Sequence, residues 1–374
     1  MVHSDAWRPD SLKRFLRPPG NGVFTVHTAQ DIIASVQREL YSSAGGQDQI
    51  EHAWLTSLKD VTTTDKTLLL GVCHDNGGGI QRGANWGPLF VRRALLERVS
   101  SEDFIDLGDV PVIPHLLHDK YLNEETLNAC REALYQDATC QLPVSPLSIT
   151  EYVCDLLYAL PQSPPILGLG GDHSVSYPLV RSWLKNKRAQ NKRVAVIHFD
   201  AHTDLMERRL GIDLCFATWA YHILELLESP RDLLQYGIRS SGKTKAYWEE
   251  TLGIQQFWGD ELRHNTQLAA QRLHDYLTTQ HVEEVYISFD IDAMDESLAS
   301  ATGTPEPDGL HLTHVSDILD AIPSSCQVTG ADLVEVAPWV NRAMQGEEST
   351  RSTRDPTLDT AGEITAMLLR LLNT

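Results

Sequence analysis

Three short segments of this chain each follow an apolar run and contain residues of the types that bind metal ions. They are GGDHSVSYP from Gly170, HFDAHTDL from His198 and SFDIDAMD from Ser288. Side chains two apart on a strand point to the same side, so the spacing within Asp200, His202 and Asp204, and that between Asp290 and Asp292, brings these groups together. Two imidazoles and four carboxylates are more than one divalent ion can use, and they indicate two metal ions bridged by carboxylates with a water between them. The candidate metal ligands are His173, Asp200, His202, Asp204, Asp290 and Asp292.

A single Asp-x-His-x-Asp motif could have a purely structural role instead of binding a metal ion, because Asp is common in turns that join strands to helices. Here three clusters occur independently, each at the carboxyl end of an apolar run. Open parallel sheets bind their ligands at the carboxyl ends of strands. The sequence therefore predicts a metal centre at that edge of a parallel sheet.

Strand-like and helix-like segments alternate from Thr67 onward. This alternation predicts an α/β fold in which a mainly parallel sheet carries helices on both faces. We predict strands at 67–73, 103–107, 165–169, 194–199, 233–238, 254–258, 284–289 and 328–335. We predict helices at 29–41, 88–99, 124–136, 148–160, 177–189, 244–251, 261–279, 313–322 and 360–372.

The first 65 residues differ from the rest of the chain. They contain Pro9, the run Pro18-Pro19-Gly20 and only one predicted helix. We assign residues 1–65 to an N-terminal extension that packs either on the main domain or on a neighbouring subunit. Residues 66–374 form one catalytic domain in this interpretation.

The composition narrows the possible partners. A formal charge of −20 argues against nucleic acids and anionic membranes, because binding to either needs basic patches. It is compatible with a cationic substrate. The N-terminus does not resemble a signal peptide, and the six cysteines contain no Cys-x-x-Cys pair. We therefore expect a cytoplasmic protein with reduced thiols and without a membrane span.

At these motifs the chain resembles the arginase/agmatinase family, the ureohydrolases. The resemblance extends from about Leu68 to the C-terminus. It includes GVCHDNGGGIQRGANWGPLFVR, DFIDLGDV, TGTPEPDGL and DLVEVAP besides the three metal segments. The fold that it implies is a three-layer α/β/α domain around an eight-stranded, mostly parallel sheet, which agrees with our count of strands.

The resemblance also implies which residues bind each metal ion. The first ion would be bound by His173, Asp200, Asp204 and Asp290, and the second by Asp200, His202, Asp290 and Asp292. A hydroxide held between the two ions would attack the guanidinium carbon. The ligand types accept either nickel, which is favoured here, or manganese.

Three further residues receive catalytic roles from the resemblance. Asp204 would take a proton from the hydroxide and give it to the leaving nitrogen. Glu335, inside an apolar strand, would orient the guanidinium by paired hydrogen bonds, or would be held by backbone N–H groups of a neighbouring loop. His222 would shuttle protons, although a single His in such an apolar stretch is as often part of the core.

The loop after Asp204 determines which substrate we expect. Arginine needs polar contacts for its α-carboxylate and α-amine, but the loop CFATWAYH offers only Thr218 as a small polar group. Trp219, Tyr221 and Trp339 would fill the space of a substrate tail, unless they belong to the core or to a subunit contact. We therefore expect Thr218, Trp219 and Trp339 to contact a short substrate.

The loop and the N-terminal extension look most like the cyanobacterial-type, nickel-dependent guanidine hydrolases, which convert guanidine to urea and ammonia. The alternatives are an agmatinase, a guanidinobutyrase or an arginase, and a non-catalytic metal-binding relative. The resemblance further implies a trimeric or hexameric homo-oligomer and possible accessory proteins that deliver nickel.

Overall fold

The computed structural model describes residues 9–23, 28–42, 46–338 and 356–374. Its centre is an eight-stranded sheet in the order β2-β1-β3-β8-β7-β4-β5-β6, in which every pair of neighbouring strands is parallel. The predicted α/β fold class is therefore confirmed, and each predicted strand has its counterpart. The strands are β1 (Thr67–Val72), β2 (Phe104–Val110), β3 (Ile166–Gly170), β4 (Val194–Phe199), β5 (Leu233–Ile238), β6 (Gln255–Trp258), β7 (Glu284–Asp290) and β8 (Gln327–Val334).

Helices cover both faces of this sheet, and most of them follow the predicted periodicity. Within the described residues, none is both long and apolar enough to cross a lipid bilayer. The helices are α1 (Pro9–Leu12), α2 (Gln30–Leu40), α3 (Gln47–Asp60), α4 (Gly87–Leu96), α5 (Glu124–Tyr135), α6 (Pro146–Tyr158), α7 (Ser176–Ala189), α8 (Trp219–Ile223), α9 (Lys245–Leu252), α10 (Gly259–Thr279, with a kink at Asn265), α11 (Leu312–Leu319) and α12 (Pro356–Leu372).

The strands are apolar along their whole length because both faces of the sheet are buried. Successive residues alternate between two hydrophobic cores. In β4, Ile197 and Phe199 belong to the core that includes residues of α2, α4, α10, α11 and α12, whereas Val196 belongs to the core on the side of α3, α6 and α7. This two-sided burial gives the central strands a fixed register, which in turn fixes the positions of the residues at their ends.

The described part of the N-terminal extension packs against β2, which is an edge strand of the sheet. Arg17 exchanges two backbone hydrogen bonds with Asp109, both of 2.8 Å. The indole of Trp54, on α3, donates to the carbonyl of Leu107 at 3.0 Å. Helix α3 was not predicted. The extension thus covers strand groups that would otherwise face solvent.

Candidate metal centre and cavity

Four neighbouring strands in the middle of the sheet carry the predicted metal ligands and Glu335 at their carboxyl ends. His173 follows β3, Glu335 follows β8, Asp290 ends β7 and Asp200 follows β4. The loop after β3 comes very close to the end of β1, since a Cβ on Gly171 would lie 1.8 Å from the carbonyl oxygen of His74. Only glycine permits this approach, which brings His173 towards the other ligands.

The first cluster is centred on the imidazole of His173. Its Nδ1 lies 3.1 Å from an oxygen of each of Asp200, Asp204 and Asp290. This nitrogen is buried and has no hydrogen-bond partner of suitable geometry. Three carboxylate oxygens around an unpartnered imidazole nitrogen form a donor set that suits a divalent cation.

The second cluster shares Asp200 with the first. The Nδ1 of His202 lies 3.1 Å from Asp292 Oδ2 and 3.4 Å from Asp200 Oδ1. Asp292 is held in place because its Oδ2 accepts from the hydroxyl of Thr304 at 2.8 Å and its Oδ1 accepts from the N–H of Ala201 at 3.1 Å. The structure therefore brings all six predicted ligands together in two adjoining clusters.

The carboxylates of this centre repel one another. Burial, together with Asp292 and Asp200, raises the pKa of Asp290 well above its usual range. Burial lowers the pKa of His202, but the Asp292 and Asp200 carboxylates outweigh it and raise that pKa to about 12. Four carboxylates balance the charge of two divalent ions, so the residues fit such a pair in charge as well as in donor type.

Buried side chains behind the ligands hold them in position. The imidazole of His198 bonds Asp200 Oδ2 through Nε2 at 2.9 Å, and its Nδ1 accepts from Gln235 at 2.9 Å. Gln235 in turn accepts from Gln256 at 2.8 Å. Although His198 lies close enough to be counted with the first cluster, both of its ring nitrogens have partners. We therefore regard it as a residue that orients Asp200.

Hydrogen bonds hold the turn and the imidazole of His173 from two sides. Asp172 caps the turn that carries His173, since its Oδ1 accepts from the N–H of Ser174 at 3.0 Å. On the far side of the ring, His173 Nε2 lies 3.1 Å from the hydroxyl of Ser288, which donates to Asp332 at 2.8 Å. Both contacts help to fix the position of the His173 ring.

Glu335 makes a backbone contact and also faces the cavity. Its Oε1 accepts from the backbone N–H of His173 at 2.8 Å, as in the structural interpretation. The residue nevertheless lines the cavity above the metal centre. Burial, and then the carboxylates of Asp290 and Asp172, raise the pKa of Glu335 well above its usual range. A cation in the cavity would relieve this repulsion.

A cavity of about 580 Å³ opens above the two clusters. All four carboxylates that line it belong to the metal centre or to Glu335. They mark its inner end, because Asp200, Asp204 and Asp290 are buried and Glu335 bonds the backbone of His173, whereas Lys243 is exposed and Arg209 is half-buried. The imidazoles of His173 and His202 also line the cavity. The remaining described lining is apolar, small, hydroxyl-bearing or cationic, and comprises Gly78, Thr203, Met206, Arg209, Phe216, Ala217, Ser240, Ser241, Gly242, Lys243, Trp248 and Thr304.

The structure places several predicted substrate contacts away from this cavity. The hydroxyl of Thr218 is fully buried and donates to the carbonyl of Cys215 at 3.1 Å. Trp219 is fully buried behind Asp204. His222 faces Tyr177 and bonds the carbonyl of Glu207 through Nε2 at 2.9 Å. None of these three is among the lining residues, because the loop turns their side chains inwards or away.

Trp339 lies outside the described residues. Tyr221 contributes a backbone N–H to Asp204 at 3.3 Å and does not appear in the described lining. The aromatic wall is formed by Phe216 and Trp248 instead.

Sequence reasoning missed the cationic residues at the outer end of the cavity and the half-buried Arg239. Arg209 and Lys243 line the outer end. Arg239, directly after β5, donates from Nη2 to the carbonyls of Asp292 and Glu306 at 2.7 and 2.8 Å, so it braces the loop after β7. Their position was the available signal, since Arg209 lies in the loop after Asp204, and Arg239 and Lys243 follow the carboxyl end of β5 at the same edge as the metal motifs.

The fold and the two clusters together define an α/β protein with two adjoining groups of potential metal ligands at the carboxyl edge of a parallel sheet. The same fold occurs in formimidoylglutamase from Bacillus subtilis, with a TM-score of 0.61 and 21% identity over 83% of this chain and 88% of that one. It also occurs in arginase from Medicago truncatula, with a TM-score of 0.58 and 22% identity over 87% and 97% of the two chains.

Residues 65–353 match the profile of the arginase family, so the chain belongs to that family. Its members depend on a pair of metal ions. The agmatinase of Bacillus anthracis is 37% identical over 198 residues, which cover 53% of this chain and 63% of that protein. The agmatinase of Halalkalibacterium halodurans is 29% identical over 73% of this chain and 84% of its own. The chain thus spans less than two thirds of the Bacillus anthracis relative.

Proposed function

We propose that this protein hydrolyses free guanidine. In the reaction, water adds to the guanidinium carbon, one C–N bond breaks, and the products are urea and an ammonium ion. Membership of the arginase family supports the hydrolysis of a guanidino compound. The choice of guanidine itself rests on the cavity.

The observation that carries this proposal is the distribution of charge along the cavity. Its carboxylates lie only at the inner end, where a guanidinium would meet them, as far as the described lining extends. The outer end carries Arg209 and Lys243 instead. Agmatine has a second cation on its tail, which would face these two cations, and the described lining holds no further carboxylate to receive it. Unsubstituted guanidine has no tail and needs no such partner.

The loop after Asp204 supports the same conclusion. Thr218 was the one small polar group in this loop that could have bound a polar tail, but its hydroxyl is used within the loop. The loop residues that reach the cavity are Phe216 and Ala217, which offer no polar side chain. The polar contacts that discriminate arginine from shorter compounds are therefore missing from this wall.

The chain's own residues would act at the inner end. Glu335 would bind the guanidinium through a charge-assisted hydrogen bond and orient its plane. Asp204 would accept the proton that the attacking water loses and return it to the leaving nitrogen. When bound, two divalent ions supply the Lewis acidity that makes a water molecule nucleophilic at neutral pH.

A guanidino acid is the second candidate. The cavity is much larger than guanidine requires, and Arg209 and Lys243 would attract a carboxylate at the end of a tail. Guanidinobutyrate has a cationic head and an anionic tail, so it matches this distribution of charge. Agmatine, the substrate implied by the names of the relatives, is disfavoured by the same two residues.

Urea release separates these substrates directly. The protein is prepared with nickel and, in parallel, with manganese, and kcat/KM is measured for guanidine, guanidinobutyrate, agmatine and arginine. We expect guanidine to be the best substrate. A higher kcat/KM for guanidinobutyrate would select the second candidate, and a higher value for agmatine would reject the argument from charge.

We further propose that nickel is the metal used and that the protein forms a homo-oligomer, a trimer or a hexamer. Ile80 and Leu210 support the second point, because these apolar side chains at two loop tips are 92% and 97% exposed in the single chain. Light scattering gives the mass of the assembly.

A separate experiment tests whether nickel-delivery proteins are needed. It compares the activity of protein made alone with the activity of protein made alongside such accessory proteins.

A further inference from the structure

The indole of Trp219 makes one polar contact with the metal centre. Its Nε1–H donates to Asp204 Oδ2 at 2.9 Å. That same oxygen lies 3.1 Å from Nδ1 of His173, the unpartnered nitrogen at the centre of the first cluster. The ring of Trp219 also packs against the imidazoles of His173 and His198, with 4.8 Å between ring centroids in each case.

We propose that Trp219 is a positioning residue that holds the carboxylate of Asp204 in the orientation in which it binds the first metal ion. Trp219 does not line the cavity, so it acts through Asp204 and not on the substrate. The proposal does not depend on which guanidino compound the protein hydrolyses.

The backbone around Asp204 explains why its side chain needs such a contact. Asp204 has a φ of 51°, in the left-handed region that is costly for a residue with a Cβ. It lies in a segment without helix or strand. Helix α8 fastens it at two points, because the N–H of Tyr221 donates to its carbonyl at 3.3 Å and the indole of Trp219 donates to its carboxylate.

A purely space-filling role for Trp219 would not require this acceptor. A buried indole N–H needs a partner, but a neutral carbonyl would serve. Here the partner is a carboxylate, which makes the bond charge-assisted and directional. Loss of the bond would free the carboxylate to rotate. Partners of metal ligands typically change metal affinity by about 10- to 100-fold when they are removed.

Trp183 provides a matched control. It is also fully buried, and its indole donates to a side-chain oxygen, that of Thr329, at 3.0 Å. Thr329 lies near the start of β8, whereas Glu335 follows the end of that strand. A Trp183→Phe variant therefore loses an equivalent hydrogen bond in the core without touching the metal centre.

The test is a calorimetric titration, in which chelator-treated protein is titrated with Mn²⁺ and, in a separate experiment, with Ni²⁺. We expect Trp219→Phe to weaken the binding of one metal equivalent by about 10- to 100-fold. The second equivalent, bound on the side of His202 and Asp292, should be affected much less. Trp183→Phe should bind both equivalents like the unmodified protein.

Two results would overturn the proposal. One is unchanged affinity for both equivalents in Trp219→Phe, and the other is an equal loss at both, as expected from a damaged core. Urea unfolding checks that both variants are folded. If Trp219→Phe does not fold, Trp219→His, which keeps a ring N–H, is compared with Trp219→Leu, which has none. The proposal then requires tighter binding of the first ion by the His variant, and equal binding by the two variants contradicts it.

Discussion

Two residues at the metal centre have backbone conformations that are unfavourable for side chains other than glycine. Asp204 has a φ of 51° and Glu335 a φ of 63°. Such a residue costs about 1–3 kcal/mol and persists only where its surroundings impose it. The surroundings do so here, since the carbonyl of Asp204 accepts from Tyr221 and the N–H of Glu335 donates to Gly171 at 2.7 Å. Strain maintained in this way supports a functional role for both side chains.

Asp290 is, with Asp200, one of two ligands whose loss should affect both ions. Its Oδ2 is 3.1 Å from His173 Nδ1, and its Oδ1 accepts from the N–H of Asp292 at 2.8 Å. We expect Asp290→Ala to lower the content of both metals and to abolish turnover, as measured by elemental analysis and urea release. Glu296→Gln changes an exposed carboxylate on the same segment and is the control. It should retain both the metal content and the turnover. Two full equivalents of metal in active Asp290→Ala would disprove the assignment.

Glu335→Gln should separate substrate binding from metal binding. The amide keeps an acceptor for the N–H of His173 but loses the charge that faces the guanidinium. A desolvated charge-assisted contact contributes about 1.5–3 kcal/mol, so kcat/KM should fall by about one to two orders of magnitude. Elemental analysis should find unchanged metal content. Kinetics equal to those of the unmodified protein would assign Glu335 a structural role only.

The sequence predicted the residues that come together at the metal centre but not the direction of every side chain around it. The six ligands could be recognised because strand spacing and ligand chemistry agreed. Trp219, Thr218 and His222 lie in or beside a short helix in an irregular loop, where side-chain direction depends on tertiary contacts. For Trp219 the deciding contact is the hydrogen bond to Asp204, which no local pattern in the sequence indicates.

At the scale of elements, the outer wall of the cavity depends on the contact between two loops. The ring of Phe216 lies against the backbone of Gly78, where a Cβ would come within 2.1 Å of ring atoms. The guanidinium of Arg209 covers Phe216 at 4.7 Å from the ring centroid. Gly78 therefore permits Phe216 to lie where it narrows the space available to a substrate tail.

Phe216→Ala should relax the selection against tails. Removing the ring opens the wall next to Gly78, so the ratio of kcat/KM for guanidinobutyrate or agmatine to that for guanidine should rise, by about tenfold if the wall acts as a steric filter. Competition assays with mixed substrates measure this ratio. Leu268→Ala, on the exposed surface of α10, is the control and should leave the ratio unchanged. An unchanged ratio in Phe216→Ala would exclude a filtering role.

The sequence was a good guide to elements with strong periodicity and a poor one where charges are buried. Strand β2 was predicted to end at residue 107 but continues to Val110. Asp106 and Asp109 suggest a turn, yet both are buried in ion pairs with Arg92. Helix α3 was missed because it is largely polar and buries only Ile50, Trp54 and Leu58.

At the scale of the whole molecule, one buried ionic cluster joins the N-terminal extension to the catalytic domain. Arg92, on α4, is fully buried and bonds Asp106 at 2.7 Å and Asp109 at 2.6 Å. The other oxygen of Asp109 accepts from the backbone N–H groups of Gly20 and Gly22 at 2.7 and 3.2 Å. A single carboxylate thus links the extension, the edge strand and a helix of the main domain.

Removing that carboxylate should destabilise the whole fold. Asp109→Ala would leave Arg92 with only one carboxylate partner and Gly20 and Gly22 with buried, unpaired N–H groups, and breaking a buried ion pair typically costs about 3–5 kcal/mol. We expect a correspondingly lower free energy of unfolding in urea and faster proteolysis of the extension. Asp213→Ala is the control, because Asp213 also pairs with an arginine, Arg208, but at the surface. Surface pairs contribute little, so its unfolding midpoint should barely move. Equal stability of the two variants would show that the buried cluster does not hold the extension in place.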